Sequence, residues 1–345
     1  MNPSARLRWG IVSTGHIAGV FARGLRSSRG GELVAVGSRG VDSAQAFAAE
    51  HGIAPERAHG SWEALFADPE VDAVYVATPH PHHAAAVVAA LAAGKHVLCE
   101  KPFAMSLAEV DAMQAAAREH QRTLMEAWMY RCHPQTAKLV AMVREGAIGE
   151  LRHVQAAFSF NAPFDPAGRL WNKALGGGAV LDVGGYPLSY ARLLAGVAQG
   201  KPFLDPEALH AVGHVHLEAG TDLRACAVVR FAGNITAELS CGTDVSQQNV
   251  VRVYGSAGMI VVPSPYVISR DASPTTLEWH REGRETEVIT ITPDRDVYAY
   301  EADALAEAVS AGKLEVAACP WADTRGNMAG LIDWHEQIGV NYLFS

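Results

Sequence analysis

Short apolar runs alternate with longer amphipathic stretches along the first third of the chain. Leu7–Val12, Glu32–Gly37, Val71–Thr78, His96–Glu100 and Thr123–Ala127 are brief and mostly apolar, as buried strands are. Ile17–Leu25, Ser43–His51, Ala84–Ala93 and Leu107–His120 fall between them with helical spacing. This alternation predicts βαβ units and a parallel, doubly wound α/β sheet.

After Trp128 the pattern changes. A helix over Pro134–Gly146 is followed by strand candidates at Leu151–Phe160, Ala211–Leu217, Leu223–Phe231, Ile235–Cys241, Val250–Gly255, Gly258–Pro263, Thr276–His280 and Glu287–Thr292. Ala179–Leu194 reads as one helical interruption, and Tyr298–Ser310 and Arg325–Ile338 predict closing helices. Runs of strands joined by turns predict a large, mostly antiparallel sheet in an α+β half. The expected division is residues 1–127 and 128–345. A large sheet with one open face also predicts a homodimer or higher homo-oligomer.

The chain has 345 residues, 49% of them hydrophobic, and a formal net charge of −9. Its length is about 2.3 times a typical domain, which fits two domains. No Lys/Arg-rich run provides the electrostatic footprint of a nucleic-acid or membrane-surface binder. The longest apolar run, Ala84–Ala93, falls well short of the roughly 20 residues a membrane helix needs. Met1–Trp9 leads into a strand without a secretory apolar region, so a cytoplasmic protein is expected. Cys99, Cys132, Cys226, Cys241 and Cys319 are scattered and never form CxxC, which predicts free thiols.

His80-Pro81-His82-His83 and the group His210, His214 and His216 lack Cys or carboxylate ligands at structural-site spacing, so no metal is expected. No G-x-S-x-G elbow, Walker A loop or HExxH helix occurs, which removes the main support for hydrolase or phosphotransferase readings. Small-molecule chemistry remains.

The first strand runs into Gly10-Ile11-Val12-Ser13-Thr14-Gly15-His16-Ile17-Ala18 and then a helix. In a dinucleotide turn one glycine permits the bend, a second lets backbone amides approach the pyrophosphate, and a small residue lets helix pack on strand. Gly15 and Ala18 fill the last two roles, while Ser13 stands where the first glycine of G-x-G-x-x-G/A is expected. Ser13, Thr14, Gly15, His16 and Ile17 are therefore candidate cofactor contacts; the competing reading is an ordinary strand-to-helix turn. About 20 residues past such a turn, NAD-selective folds place an acid on the ribose and NADP-selective ones an Arg or small polar group. Gly37-Ser38-Arg39 stands there without a carboxylate at the strand end, so Ser38 and Arg39 are candidates for a 2′-phosphate. The expected cofactor is NADP in preference to NAD.

Two further segments carry a resemblance. One strand ends in Cys99-Glu100-Lys101-Pro102, and the second half contains Gly176-Gly177-Gly178-Ala179-Val180-Leu181-Asp182-Val183-Gly184-Gly185-Tyr186. With Arg8-Trp9-Gly10, Ala77-Thr78-Pro79-His80 through His83, Met125-Glu126-Ala127-Trp128, Arg131, Pro134 and Ile338-Gly339-Val340, the chain resembles the glucose-fructose oxidoreductase/inositol dehydrogenase (Gfo/Idh/MocA) family over nearly its whole length. It is most similar to the dihydrodiol dehydrogenase and D-xylose dehydrogenase branch, which carries Tyr where other members carry His. The resemblance implies a Rossmann NAD(P)-binding domain followed by a substrate and oligomerisation domain. It also implies an oxidoreductase acting on a sugar, polyol or trans-diol, with further cofactor contacts from Thr78, Pro79, His80, His83, Glu100, Lys101 and Trp128.

Oxidising a carbinol removes a hydroxyl proton as hydride leaves the same carbon, so one group must exchange a proton near neutral pH. A free Tyr, with a pKa of about 10, holds its proton too tightly, but a lysine ammonium nearby favours the phenolate. Tyr186 is the candidate acid/base and Lys101 its electrostatic partner, as the resemblance also implies. Asp182 lies four residues before Tyr186, on the same face if the segment is helical, and would orient substrate or Lys101; a helix N-cap is the competing reading. The resemblance implies substrate contacts from Arg169, Trp171 and Asn172, residues that would equally well anchor a loop. Two other classes stay open: an NAD-dependent glycoside hydrolase of the same family, and a non-catalytic dinucleotide-binding regulator.

Overall fold

The computed structural model describes residues 6–342. Its backbone forms two compact units, one of residues up to 133 with 269–272 and 293–324, the other of 134–268 with 273–292 and 325 onward.

The first unit is built on a six-stranded sheet. In chain order it comprises β1 (Leu7–Val12), α1 (His16–Leu25), β2 (Gly31–Gly37), α2 (Val41–His51), β3 (Ala58–His59), α3 (Trp62–Ala67), β4 (Ala73–Val76), α4 (His83–Ala92), β5 (His96–Cys99), α5 (Leu107–Glu119) and β6 (Leu124–Glu126). All pairings are parallel and the order is β3-β2-β1-β4-β5-β6. β4 and β5 are buried at every position, which is why their sequences read as unbroken apolar runs. The expected helices and strands are all present. Two short elements, β3 and α3, lack a long period, yet α3 carries a legible start in Ser61, whose Oγ accepts from Ala64 N at 3.2 Å.

The second unit contains α6 (Pro134–Arg144), β7 (Leu151–Ser159), α7 (Gly185–Ala198), β8 (Ala208–Val215), β9 (Asp222–Phe231), β10 (Ile235–Gly242), β11 (Val250–Gly255), β12 (Gly258–Val262), β13 (Thr275–His280) and β14 (Glu287–Ile291). Its eight strands run β14-β13-β12-β11-β7-β10-β9-β8, antiparallel except where β7 meets β10. β9 alternates buried and exposed along its length, so one face packs inward and the other is open. The inward face is covered by α7, which packs on β7 and β10, with α6 alongside.

Three expected boundaries move. The strand expected at Ala211–Leu217 lies earlier, at Ala208–Val215, because its partner β9 fixes the register from Ala208↔Arg230 onward and leaves Leu217 fully exposed. The single helix expected at Ala179–Leu194 is a π-helical turn, Val180–Gly184, followed by α7. The last helix, α9 (Trp321–Gln337), begins four residues before the expected Arg325.

Sequence pattern places one cut after residue 127 and carries no signal for the return of α8 (Val297–Ser310) to the first unit. That return is specified by a side chain. Asp303 of α8 accepts from the backbone N–H groups of Gly30 (2.8 Å) and Arg29 (3.3 Å) and from the Ser28 hydroxyl, tying the helix to the turn before β2. Among the described residues no helix is long and apolar enough to cross a membrane, and no group of three or more His, Cys, Asp or Glu is arranged to hold a metal ion.

Candidate functional site

In the first unit the sheet order reverses between β1 and β4, and in open α/β sheets that switch point, at the carboxyl ends of the strands, is where ligands bind. Every expected cofactor residue lies at that edge. Ser13 to Ile17 follow β1, Ser38 and Arg39 follow β2, Thr78 to His83 follow β4, Glu100 and Lys101 follow β5, and Trp128 follows β6.

The substituted first glycine keeps a glycine's backbone. Ser13 has φ +104°, a conformation that L side chains rarely adopt and that glycine enters freely. Its Oγ accepts from Gly15 N at 3.3 Å, and its own N–H donates to Gly37 O at 2.9 Å. Such strain costs of order 1–3 kcal/mol and persists where the surrounding structure fixes it, often at functional sites. A Cβ on Gly15 would approach only the Ser13 hydroxyl, at 3.6 Å. The N-terminus of α1 carries no side-chain cap and no acidic residue in its first turn. Its free N–H groups and positive dipole end thus suit a pyrophosphate. At the end of β4 the Thr78 hydroxyl is buried without a partner among the described residues, a second unsatisfied polar group at the same edge. The residues present fit a dinucleotide.

At the end of β2, Arg39 is exposed and has no hydrogen-bond or ion-pair partner among the described residues. Ser38 is nearly buried, with its Oγ 2.9 Å from Ser43 Oγ, and Ser43 in turn donates to Gly40 O at 2.9 Å. With the Ser43 proton directed at Gly40, Ser38 is the donor within the pair.

The Lys101 turn is held from several sides. Lys101 N donates to Glu100 Oε2 at 3.1 Å, and the Tyr75 hydroxyl donates to Glu100 Oε1. The Lys101–Pro102 peptide is cis. His83, fully buried, sets Nδ1 against Pro102 O and Nε2 against Thr78 O, each at 2.9 Å. Burial pushes its pKa down to about 4, so the neutral ring donates to one of the two carbonyls. It ties the β4 end to the Lys-Pro turn. Glu126 Oε1 accepts from Phe103 N at 3.1 Å, and burial pushes this carboxyl up to about 7.

In the second unit the glycine triplet is dictated by close approach. A Cβ on Gly177 would lie 2.9 Å from the carbonyl oxygens of Arg169 and Leu170, and one on Gly178 would lie 2.3 Å from Asp222 Oδ1. Gly178 N donates to Leu170 O at 2.8 Å, folding the 169–178 loop onto the π-helical turn. Asp222, fully buried, accepts from Val180 N through Oδ2 at 2.7 Å.

The expected N-cap alternative for Asp182 is not what forms. Gly184 precedes α7 in that place, and Asp182 Oδ1 instead takes Arg169 Nη1 at 2.9 Å. Arg169 and Asp182 are thus brought together, with the arginine half exposed and the acid buried. Asn172 Oδ1 accepts from Ala174 N at 3.0 Å, so Asn172 shapes its own loop. Trp171 O accepts from the Thr221 hydroxyl at 3.1 Å, while the Trp171 indole N–H is buried without an acceptor among the described residues. Tyr186, 5% exposed in the first turn of α7, meets Phe158 and Tyr266 edge to face, with ring centroids 5.0 and 5.4 Å away.

Comparison with known proteins decides the relationship. Residues 7–128 match the model of an oxidoreductase family with an NAD-binding Rossmann fold, and residues 136–261 match the GFO/IDH/MocA C-terminal domain. A trans-1,2-dihydrobenzene-1,2-diol dehydrogenase of Mus musculus is 34% identical over 343 residues, covering 97% of this chain and 98% of that protein. The chain belongs to the GFO/IDH/MocA oxidoreductase family. A Danio rerio protein of the same name is 35% identical over 97% of this chain and 98% of its own length. Among solved structures, the 3-ketoreductase KijD10 from Actinomadura kijaniata with NADP and TDP-benzene has a TM-score of 0.82 at 27% identity, covering 97% of this chain and 98% of that one.

For this member of the GFO/IDH/MocA family, motif reading finds the edge residues but misses the residues that hold them. Tyr75 reads as one more apolar strand position, and nothing marks it as Glu100's donor. Asp222 lies 42 residues beyond the backbone N–H it caps, and no local spacing reports so distant a contact. The buried pair Arg131–Asp323, 2.7 Å apart, spans 192 residues and is equally silent in sequence.

Proposed function

We propose that this enzyme interconverts a hydroxyl and a carbonyl on a vicinal diol or sugar, with NADP preferred over NAD. The observation that carries this reading is the full-length similarity to two trans-diol dehydrogenases, joined to a carboxyl edge whose exposed cation is Arg39. The turn Ser13–Ile17 holds the pyrophosphate, with the backbone N–H groups of Thr14, His16 and Ile17 as donors and Ser13 and Gly15 shaping the turn through their own N–H contacts, and Arg39 holds the 2′-phosphate. The nicotinamide, when bound, accepts or supplies the hydride. Tyr186 takes the substrate hydroxyl proton on its phenolic oxygen, and the Lys101 ammonium favours the phenolate and orients the reacting oxygen. Arg169, held by Asp182, and Trp171, with an unsatisfied indole N–H, offer donors to the remaining substrate oxygens.

A panel of aldoses, polyols and trans-diols incubated with NADP⁺ or NAD⁺ tests this. Stoichiometric reduced nicotinamide is expected from at least one diol or sugar, faster with NADP⁺. Turnover without net reduction would instead indicate a hydrolase that regenerates its cofactor.

The open sheet face supports a homodimer. Val212 and Val228, on the adjacent strands β8 and β9, are 68% and 57% exposed, apolar positions that a second copy would cover. Sedimentation velocity is expected to show at least a dimer, and the double variant Val212→Asp with Val228→Asp is expected to sediment as a monomer; an unchanged coefficient would place the interface elsewhere.

A further inference from the structure

We propose that Tyr75 is a positioning residue that acts through Glu100 to fix the Lys101 turn, an inference that rests on the reading of Lys101 given above. Tyr75 lies on β4, between β1 and β5, and is fully buried. Its ring stacks on Phe21 of α1, with centroids 3.8 Å apart and planes 13° from parallel. Its hydroxyl donates to one oxygen of Glu100, and the other oxygen receives the Lys101 N–H at 3.1 Å. One side chain therefore joins the helix that opens the phosphate turn to the peptide that carries the lysine.

The hydroxyl is what needs explaining. Phenylalanine would fill the same core volume without a polar atom to desolvate, and burying an unmatched hydroxyl is unfavourable. Tyrosine is acceptable here because Glu100 accepts its proton. Burial and the nearby Glu100 and Glu301 carboxyls push its pKa up, so it remains a donor. Glu100 can thus bind strand and turn at once, one oxygen for each, and a lysine whose backbone is fixed needs only side-chain rotation to reach its partner. A 1 Å misplacement of a reacting group can cost about 10²-fold in rate, so a lost anchor one residue away is readable in turnover.

The test is a double-mutant cycle on the full-length enzyme with its best diol or sugar substrate and NADP⁺. Tyr75→Phe is expected to lower kcat about tenfold while leaving the cofactor Kd within about twofold, the signature of a misplaced group rather than a lost binding contact. In the Lys101→Met background, followed by single-turnover measurement at high enzyme concentration, Tyr75→Phe is expected to change the residual rate by less than about twofold, because residues acting as one unit are not additive. If Tyr75→Phe does not fold, Glu100→Gln carries the kcat arms of the cycle, without the cofactor Kd arm, because Glu100 is itself a candidate cofactor contact. An unchanged kcat for Tyr75→Phe in the otherwise wild-type enzyme, or the same tenfold loss persisting beside Lys101→Met, overturns the inference. Undiminished turnover in Lys101→Met alone overturns the reading of Lys101, and this inference with it.

Discussion

Lys101→Met is expected to lower kcat/KM for the diol or sugar by about 10³-fold or more, and Tyr186→Phe by about 10²–10⁴-fold, the range that general acid–base catalysis typically contributes. Both variants are expected to fold. Methionine keeps the unbranched stem of lysine, and the backbone contacts of the turn, Lys101 N to Glu100 and His83 to Pro102 O, do not use the lysine side chain. Phenylalanine keeps the edge-to-face contacts of Tyr186 with Phe158 and Tyr266.

The two losses differ in kind. On the proposed mechanism Tyr186→Phe removes the oxygen that would carry the proton, so kcat is expected to fall with little change in substrate KM. Lys101→Met removes the charge proposed to favour the phenolate, so kcat and KM are both expected to move. If the two act as one unit, the pair should cost little more than the worse single change. Steady-state kinetics on the three variants decides this. Wild-type kcat in either single variant, with circular dichroism unchanged, would remove the assignment.

The fold was legible because its determinants are local. β4 and β5 are buried on both faces and read as apolar runs, and Gly15 followed by Ala18 marks the strand-to-helix turn even with serine in the first glycine's place. The backbone of Ser13 shows why that departure is tolerable: the chain pays the conformational strain and keeps the turn. What sequence could not supply were contacts between distant positions. The start of α7 is a π-helical turn because the 169–178 loop and Asp222 grip the backbone there, and no pattern within 179–194 reports a partner at 222. π-helical turns are rare and often lie at functional sites, so this miss falls at the segment that carries Asp182 and leads into Tyr186. Spacing makes Asp182 a candidate, four residues before Tyr186, but gives no sign of its tie to Arg169, 13 residues earlier across the glycine triplet.

Arg39→Asp is expected to invert the cofactor preference. Ser38 Oγ lies 2.9 Å from Ser43 Oγ, and Arg39 is the exposed cation at the end of β2. A charge-assisted hydrogen bond contributes about 1.5–3 kcal/mol, which converts to roughly 10–150-fold in affinity. Aspartate removes that donor, repels the 2′-phosphate and supplies the carboxylate that NAD-selective folds use to accept from the ribose 2′-hydroxyl. The ratio of kcat/KM for NADP⁺ to that for NAD⁺ should therefore fall by about 10²-fold or more, through a higher KM for NADP⁺ and a lower one for NAD⁺, with kcat nearly unchanged. Because Arg39 is exposed, the wild-type preference should also shrink between low and high salt, and that of the variant should not. A ratio unmoved by Arg39→Asp would remove Arg39 from the 2′-phosphate assignment.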